Sequence, residues 1–202
     1  EIYTILFVGS VRCVYETGVK PGELGTPPEA WPLESKLVRA QEQPTLIMFA
    51  HPRCPCTQAG MSELAELMAH IKGKASINVV FHKPEKFDRK WAEGSLYERA
   101  KSLTPDNVVI DETGLEVGLF KPKTSGQVYL FDKNGALVYS GGITPSRGHE
   151  GDNLGSQRIM DFVLNGKKIE KKFSVYGCSL FHNGSHFKEK TTISTIVPHP
   201  PE

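Results

Sequence analysis

Neither sign of charge is in excess in this sequence: 24 lysines and arginines stand against 23 aspartates and glutamates, a net charge of +1. With no stripe of interleaved aromatic and basic residues, that balance gives no electrostatic case for a nucleic-acid partner. Cysteine is scarce, four in 202 residues, too few for a small secreted scaffold held together by disulfides. Two of the four, Cys54 and Cys56, are one residue apart, a poor framework for structural bridges but a pattern that suits chemistry. No internal repeat is present, and no apolar run approaches the roughly 20 residues needed to span a bilayer. The first residues are Glu1-Ile2-Tyr3 rather than methionine, and Ile2 to Val14 is apolar until Arg12 interrupts it. That run reads equally as the end of a signal or anchor segment and as a first strand or a frayed terminus.

What is present is a sheet-and-helix pattern. Residues 18–32 (GVKPGELGTPPEAWP) are rich in glycine and proline and read as a linker or extended lead-in. Thr45 to Ala50 is a continuous apolar run, as a strand buried on both faces requires. Prolines 52 and 55 hold off a helix until about Thr57, after which Met61, Leu64, Ala65, Leu67, Met68 and Ile71 mark one helical face and Gly73 supplies a stop. Ile77 to Phe81 reads as a second strand, so the first crossover is parallel and right-handed. A helix near Ser95 to Ser102, a short strand at Val108 to Ile110 and a short helix from Leu115 to Phe120 follow. Gln127 to Phe131 and Ala136 to Ser140 flank Asp132-Lys133-Asn134-Gly135, a hairpin whose Asn-Gly step favours positive φ. The stretch GGITPSRGHEGDN is loop by composition, and a helix runs from about Gly155 to Leu164. These signals divide the chain into an N-terminal segment (1–32), a domain (33–166) and a C-terminal extension (167–202) whose last dozen residues are expected to be disordered.

Cys54 and Cys56 fall between the end of the first strand and the start of the following helix, the crevice where open α/β sheets bind ligands. Unpaired N–H groups and the helix dipole stabilise a thiolate there, and Arg53 adds a positive charge nearby. Residues two apart have Cα atoms about 5.5 to 7 Å apart, which overlaps the disulfide range, so a Cys54–Cys56 ring can close under strain. A strained disulfide is easily reduced, which predicts an oxidising or exchange-prone couple.

The segment LIMFAHPRCPCTQAGMSEL resembles the active-site strand, turn and helix of thioredoxin-like proteins. HPRCPC together with SGGITPSRGHEGDN and the late YGC is more closely similar to bacterial RedB-like proteins, over residues 31–180. The resemblance implies a thioredoxin-like α/β fold: a central mixed sheet flanked by helices, with an extended lead-in and a C-terminal tail. It also implies a redox role, with Cys54 as nucleophile and Cys56 as resolving cysteine. Two positions depart from the thioredoxin pattern. The spacing is Cys-x-Cys, and Thr124-Ser125-Gly126 puts Gly126 where thioredoxins carry a proline facing the cysteines. Ser125, Gly126 and Pro55 are therefore expected on the substrate side, with the sulfurs more open to an unusual substrate or a metal.

In this topology the last hairpin strand runs parallel to the first, which carries the following loop to the cysteine side. Arg147 is then a candidate to steady a thiolate or bind an anion, and His149 a candidate acid–base group. Glu150 and Asp152 are weaker candidates, and Asp152-Asn153 reads as a helix cap. His51 is weighed as a modulator or metal ligand against an exposed loop histidine. For Cys178, a packed free thiol is favoured over a partner of the active-site sulfurs or a metal ligand, and Cys13 reads as structural or incidental. Asn183-Gly184-Ser185 matches the glycosylation pattern without consequence in a bacterium, and the lysines of 167–172 read as a solvated face.

The leading function is thiol–disulfide exchange on a protein or small-molecule partner, with the cysteine pair itself as the redox group and no cofactor. The alternative is copper or zinc held by Cys54 and Cys56 with His51, His149 or Cys178. A thiol peroxidase ranks third, because the proline–threonine frame usual before a peroxidatic cysteine is missing. The expected location is the bacterial periplasm, free or tethered through sequence ahead of Glu1, with the cytoplasm as the alternative.

Overall fold

The structure is a computed structural model and describes residues 20–181. The N-terminal apolar run with Cys13, the acceptor pattern at Asn183 and the last dozen residues lie outside the described residues. Five strands, β1 (Thr45–Ala50), β2 (Ser76–His82), β3 (Val108–Asp111), β4 (Gln127–Phe131) and β5 (Leu137–Gly141), form one sheet in the order β3-β2-β1-β4-β5. β1 pairs in parallel with β2, and β2 with β3, while β4 is antiparallel to both β1 and β5. β5 therefore runs parallel to β1, as the hairpin requires.

All six residues of β1 are buried, and strand alternation divides them between two cores. Leu46, Met48 and Ala50 pack with Met61, Leu64, Leu67 and Ile71 of α1 (Pro55–Ile71) and with Ile159 of α5 (Leu154–Asn165). Ile47 and Phe49 point the other way, to Val117 and Phe120 of α4 (Leu115–Phe120) and to Tyr129 and Phe131. Two short helices, α2 (Arg89–Ala92) and α3 (Ser95–Leu103), complete the first layer through Ala92 and Ala100. A strand buried on both faces cannot alternate polar and apolar residues, which is why its sequence reads as an unbroken apolar run.

Local chemistry adjusts several expected boundaries. α1 begins at Pro55 rather than Thr57, because proline is tolerated at the first helical position, where no N–H is needed. Its end is set by Lys72 in the left-handed conformation (φ 50°), whose N–H returns to the Met68 carbonyl, with Gly73 following at φ 75°. In the hairpin only Gly135 takes positive φ (86°); Asp132 closes the turn by accepting the N–H groups of Asn134 and Ala136.

The lead-in is extended but packed. Trp31 sets its ring edge-on to Phe120 and Phe131 with centroids 5.4 and 5.3 Å away, and Leu37 is buried beside them. After α5 the chain returns across the sheet edge as a strap, with Val175 and Leu180 buried.

Candidate functional site

Cys54 stands at the N-cap of α1 with an extended backbone (φ −93°, ψ 120°). Its N–H donates to the His51 carbonyl (3.2 Å) and its carbonyl accepts from Thr57 N–H (3.0 Å), so HPRCPCT closes as a tight turn at the end of β1. Opposite this turn lies Thr124-Ser125-Gly126. Gly126 donates its N–H to the Phe49 carbonyl (2.8 Å) and takes φ 87°, a region glycine enters without a Cβ penalty. Ser125 is buried; its hydroxyl accepts from His51 N–H (2.8 Å) and shares a 2.8 Å hydrogen bond with Thr57 Oγ1. The hydroxyl of Ser125 thus locks the turn to the sheet. Gly126 is half-buried and Pro55 exposed, both at the cysteine end of the sheet.

A third sulfur completes the site. The Sγ atoms of Cys54, Cys56 and Cys178 all lie within 4.8 Å of one another. All three are free thiols, Cys54 buried to 2% exposure and the other two half-buried. Cys178, favoured as a packed free thiol, is a free thiol that stands against the active turn. The sequence gives no distance between residues 54 and 178; the strap that closes it is visible only as an apolar patch, VYGCSLF.

The cluster sets the charge state of its members. The thiol of Cys178 is the largest influence on Cys54, followed by that of Cys56; with the Cys178 backbone N–H and the Thr57 side chain they hold Cys54 far below the ordinary thiol range, against the upward push of burial. Cys178 moves the opposite way, kept protonated by its hydrogen bonds to Cys54 and then Cys56, and by burial. Cys56 is drawn down by Cys178 but raised on balance by its hydrogen bond to Cys54, by burial and by the Cys54 charge, with Arg147 opposing that rise. The three sulfurs together favour ionisation at Cys54 and oppose it at Cys56 and Cys178.

The charged side chains around the turn differ in what they face. Arg53 is turned onto Trp91, its guanidinium 5.0 Å from the ring centroid and its Nε donating to the Trp91 carbonyl at 3.4 Å. The cation felt in the cluster is instead Arg147, half-buried, with Nε also directed at the Lys20 carbonyl (3.4 Å). His149 is exposed, with Nδ1 2.8 Å from the Arg147 carbonyl of its own loop. His51 accepts the Arg53 N–H on Nδ1 (3.2 Å) and meets Trp91 edge-on, centroids 5.5 Å apart. Among the described residues neither histidine joins the three-sulfur group at ligand spacing.

Glu150 and Asp152 are exposed, and the loop that carries them is fastened by Glu63 of α1, a buried carboxylate accepting Gly151 N–H and Asn153 Nδ2 (3.0 Å). Asn153 in turn caps α5, accepting Ser156 N–H at 2.7 Å, as Asp152-Asn153 predicted. Glu63 is a residue that sequence reasoning missed; its only sequence signal is an acid on the apolar face of α1.

No protein-family model matches the chain, and no curated protein does. Solved structures do. An uncharacterised conserved protein from Geobacillus kaustophilus is 22% identical, with 82% of this chain and 94% of that one covered and a TM-score of 0.57. A hypothetical protein from Sinorhizobium meliloti is 18% identical over 79% of this chain and 94% of that one, TM-score 0.54. A thioredoxin-like protein solved in solution in its oxidised form is 18% identical over 74% and 96% of the two chains, TM-score 0.49. The mixed five-stranded sheet, with helices on both faces and a cysteine-bearing turn leading from β1 into the first long helix, is a thioredoxin-like fold.

Proposed function

We propose that this chain is a thiol–disulfide oxidoreductase whose redox group is built on Cys54. The observation that carries the reading is the Cys54 sulfur at the N-cap of α1 with two further sulfurs within 4.8 Å. A low-pKa thiolate is both an effective attacking group near neutral pH and a good leaving group, and a second thiol within reach turns a mixed disulfide into an intramolecular one. The resemblance to thioredoxin-like proteins implies attack by Cys54 and resolution by Cys56. Arg147 is the charge that steadies the cluster, and His149 an acid–base group on the loop beside it. The partner is a disulfide or dithiol of a protein or small molecule. The closer likeness to RedB-like proteins, carried by HPRCPC and SRGHEGDN, agrees with this role. We place the protein in the bacterial envelope, where a cycling disulfide persists; no described helix is long and apolar enough to cross a membrane. Cys54→Ser is expected to abolish catalysed exchange between dithiothreitol and glutathione disulfide; an unchanged rate removes the reading.

A second reading rests on the same triangle. Three thiolates around a soft ion bonded at about 2.3 Å stand about 4 Å apart, which the cluster accommodates, and all-sulfur ligation selects copper(I) or zinc. Metal analysis of anaerobically purified protein decides: one equivalent that is lost in Cys178→Ser supports it, and a metal-free, titratable trithiol removes it.

A further inference from the structure

Residues 174–181 are tied to the body of the fold by backbone hydrogen bonds at four points. Gly142 N–H donates to Ser174 O (3.0 Å), Gly22 N–H to Val175 O (2.8 Å), Ser125 N–H to Cys178 O (2.8 Å) and Leu180 N–H to Lys123 O (2.9 Å). Thr124 and Ser179 form an antiparallel bridge. Gly177 is the close approach: a Cβ there would stand 1.9 Å from Ser125 O. Cys178 is therefore not a loose tail thiol. It is delivered to Cys54 along the same backbone edge, 123–125, that locks the active turn.

Two observations separate the roles of the sulfurs. Cys54 is 2% exposed while Cys178 is half-buried, so an incoming sulfur meets Cys178 first. Cys56 is also half-buried, but it is joined to Cys54 through Pro55, whose ring fixes φ, inside a turn already closed by Thr57 N–H on Cys54 O (3.0 Å). The Sγ atoms of Cys54 and Cys56 also lie within 4.8 Å, but bonding them closes a small ring through the Pro55 backbone and strains that turn. Bonding Cys54 to Cys178 joins two segments that are already side by side, with no backbone ring to strain.

We infer that Cys178 is the disulfide partner of Cys54, and the sulfur at which this protein exchanges with a partner thiol. The inference rests on the oxidoreductase reading; it replaces Cys56 as the partner of Cys54 and makes Cys178, not Cys54, the sulfur that bonds to the substrate. In the oxidised protein a partner thiolate attacks Cys178 Sγ; the Cys54–Cys178 bond breaks, a bond from the partner to Cys178 forms, and Cys54 leaves as thiolate. The partner's second thiol gives its proton to solvent and attacks its own sulfur in the mixed disulfide, and Cys178 leaves and takes up a proton. The partner dithiol has lost two electrons and become a disulfide; the protein has gained them as one thiolate and one thiol. The same steps reversed, on a disulfide of another partner, restore the oxidised protein. Attack at the outer sulfur with departure of the inner, stabilised one is the fast direction for thiol exchange.

The test uses the full chain oxidised with diamide, its remaining thiols blocked in acid and the protein digested with trypsin. Cleavage after Arg53, Lys72 and Lys172 leaves Cys54 and Cys56 on one peptide (54–72) and Cys178 on another (173–188). The expected product is a disulfide-linked pair of these peptides. It persists in Cys56→Ser, which assigns the link to Cys54, and Cys178→Ser lowers catalysed dithiothreitol–glutathione exchange about tenfold or more. Closure confined to the 54–72 peptide, with the exchange rate of Cys178→Ser unchanged, overturns the inference. If Cys54→Ser abolishes exchange while only that internal closure is found, the oxidoreductase reading stands and this inference alone falls. If Cys54→Ser leaves the rate unchanged, the reading itself falls.

Discussion

At Cys54 two influences compete, and the local one wins. Burial to 2% exposure opposes ionisation, while the helix start, the Cys178 thiol and N–H, the Cys56 thiol and the Thr57 side chain favour it. Hydrogen bonds to the charged form act at contact distance, so the thiolate persists in a site that excludes most water. A pH profile of alkylation by iodoacetamide reads this directly. The rate at Cys54, followed by peptide mass spectrometry, is expected to be flat from pH 5 to 8, while rates at Cys56 and Cys178 climb only on the alkaline side. A Cys54 rate that rises tenfold per pH unit through neutrality, as for a free thiol, contradicts the arrangement. The sequence shows the helix-start half of this effect through the HPRCPC turn. It does not show the larger half, which comes from a residue more than a hundred positions away.

The elements divide along the same line. β1, α1 and the hairpin are legible in the sequence because their signals are local: an unbroken apolar run, a 3.6-residue apolar face and an Asn-Gly turn. The strap is not, because residues 174–181 take their order from partners elsewhere, and a short apolar patch without periodicity says nothing about where it docks. The basic loop is legible in place but not in role: Arg147 does reach the cluster, whereas the Glu150–Asn153 end serves to tie α5 to Glu63. Gly177 is where the strap is tested as an element. In Gly177→Ala the new methyl meets the Ser125 carbonyl at 1.9 Å, and the strap must lift or the backbone shift. A cost of about 1–3 kcal/mol is expected for such overpacking, measured by urea unfolding. Lifting the strap also withdraws the N–H and thiol of Cys178, so the alkylation profile of Cys54 is expected to move to higher pH in this variant. Unchanged stability with an unchanged profile means that the strap neither docks tightly nor activates the nucleophile.

On the scale of the whole molecule, the two-faced sheet places a histidine where the fold does not accommodate its charge. His82 ends β2 on the cysteine side, 6% exposed and edge-on to Phe181 with centroids 5.4 Å apart. Among the described residues neither ring nitrogen has a hydrogen-bond partner. Burial, followed by the nearby charges of His51 and Lys83, pushes its pKa down from 6.5 to about 4. The folded protein therefore refuses a proton that the unfolded chain accepts between those two values. The stabilisation from neutral His82 is complete above pH 6.5 and is lost progressively as pH falls toward 4. Asp111, beside it in the sheet, and Glu63 on α1 are both raised by burial, so they act in the opposite sense, favouring the folded state as pH falls. Because both carboxylates remain in His82→Leu, the difference between the two proteins isolates the histidine. Wild type is expected to lose more unfolding free energy than His82→Leu between pH 7 and pH 4.5, measured by urea titration at each pH. Parallel pH profiles for the two would mean that His82 is solvated or paired when folded, and that the strap carrying Phe181 does not seal this end of the sheet.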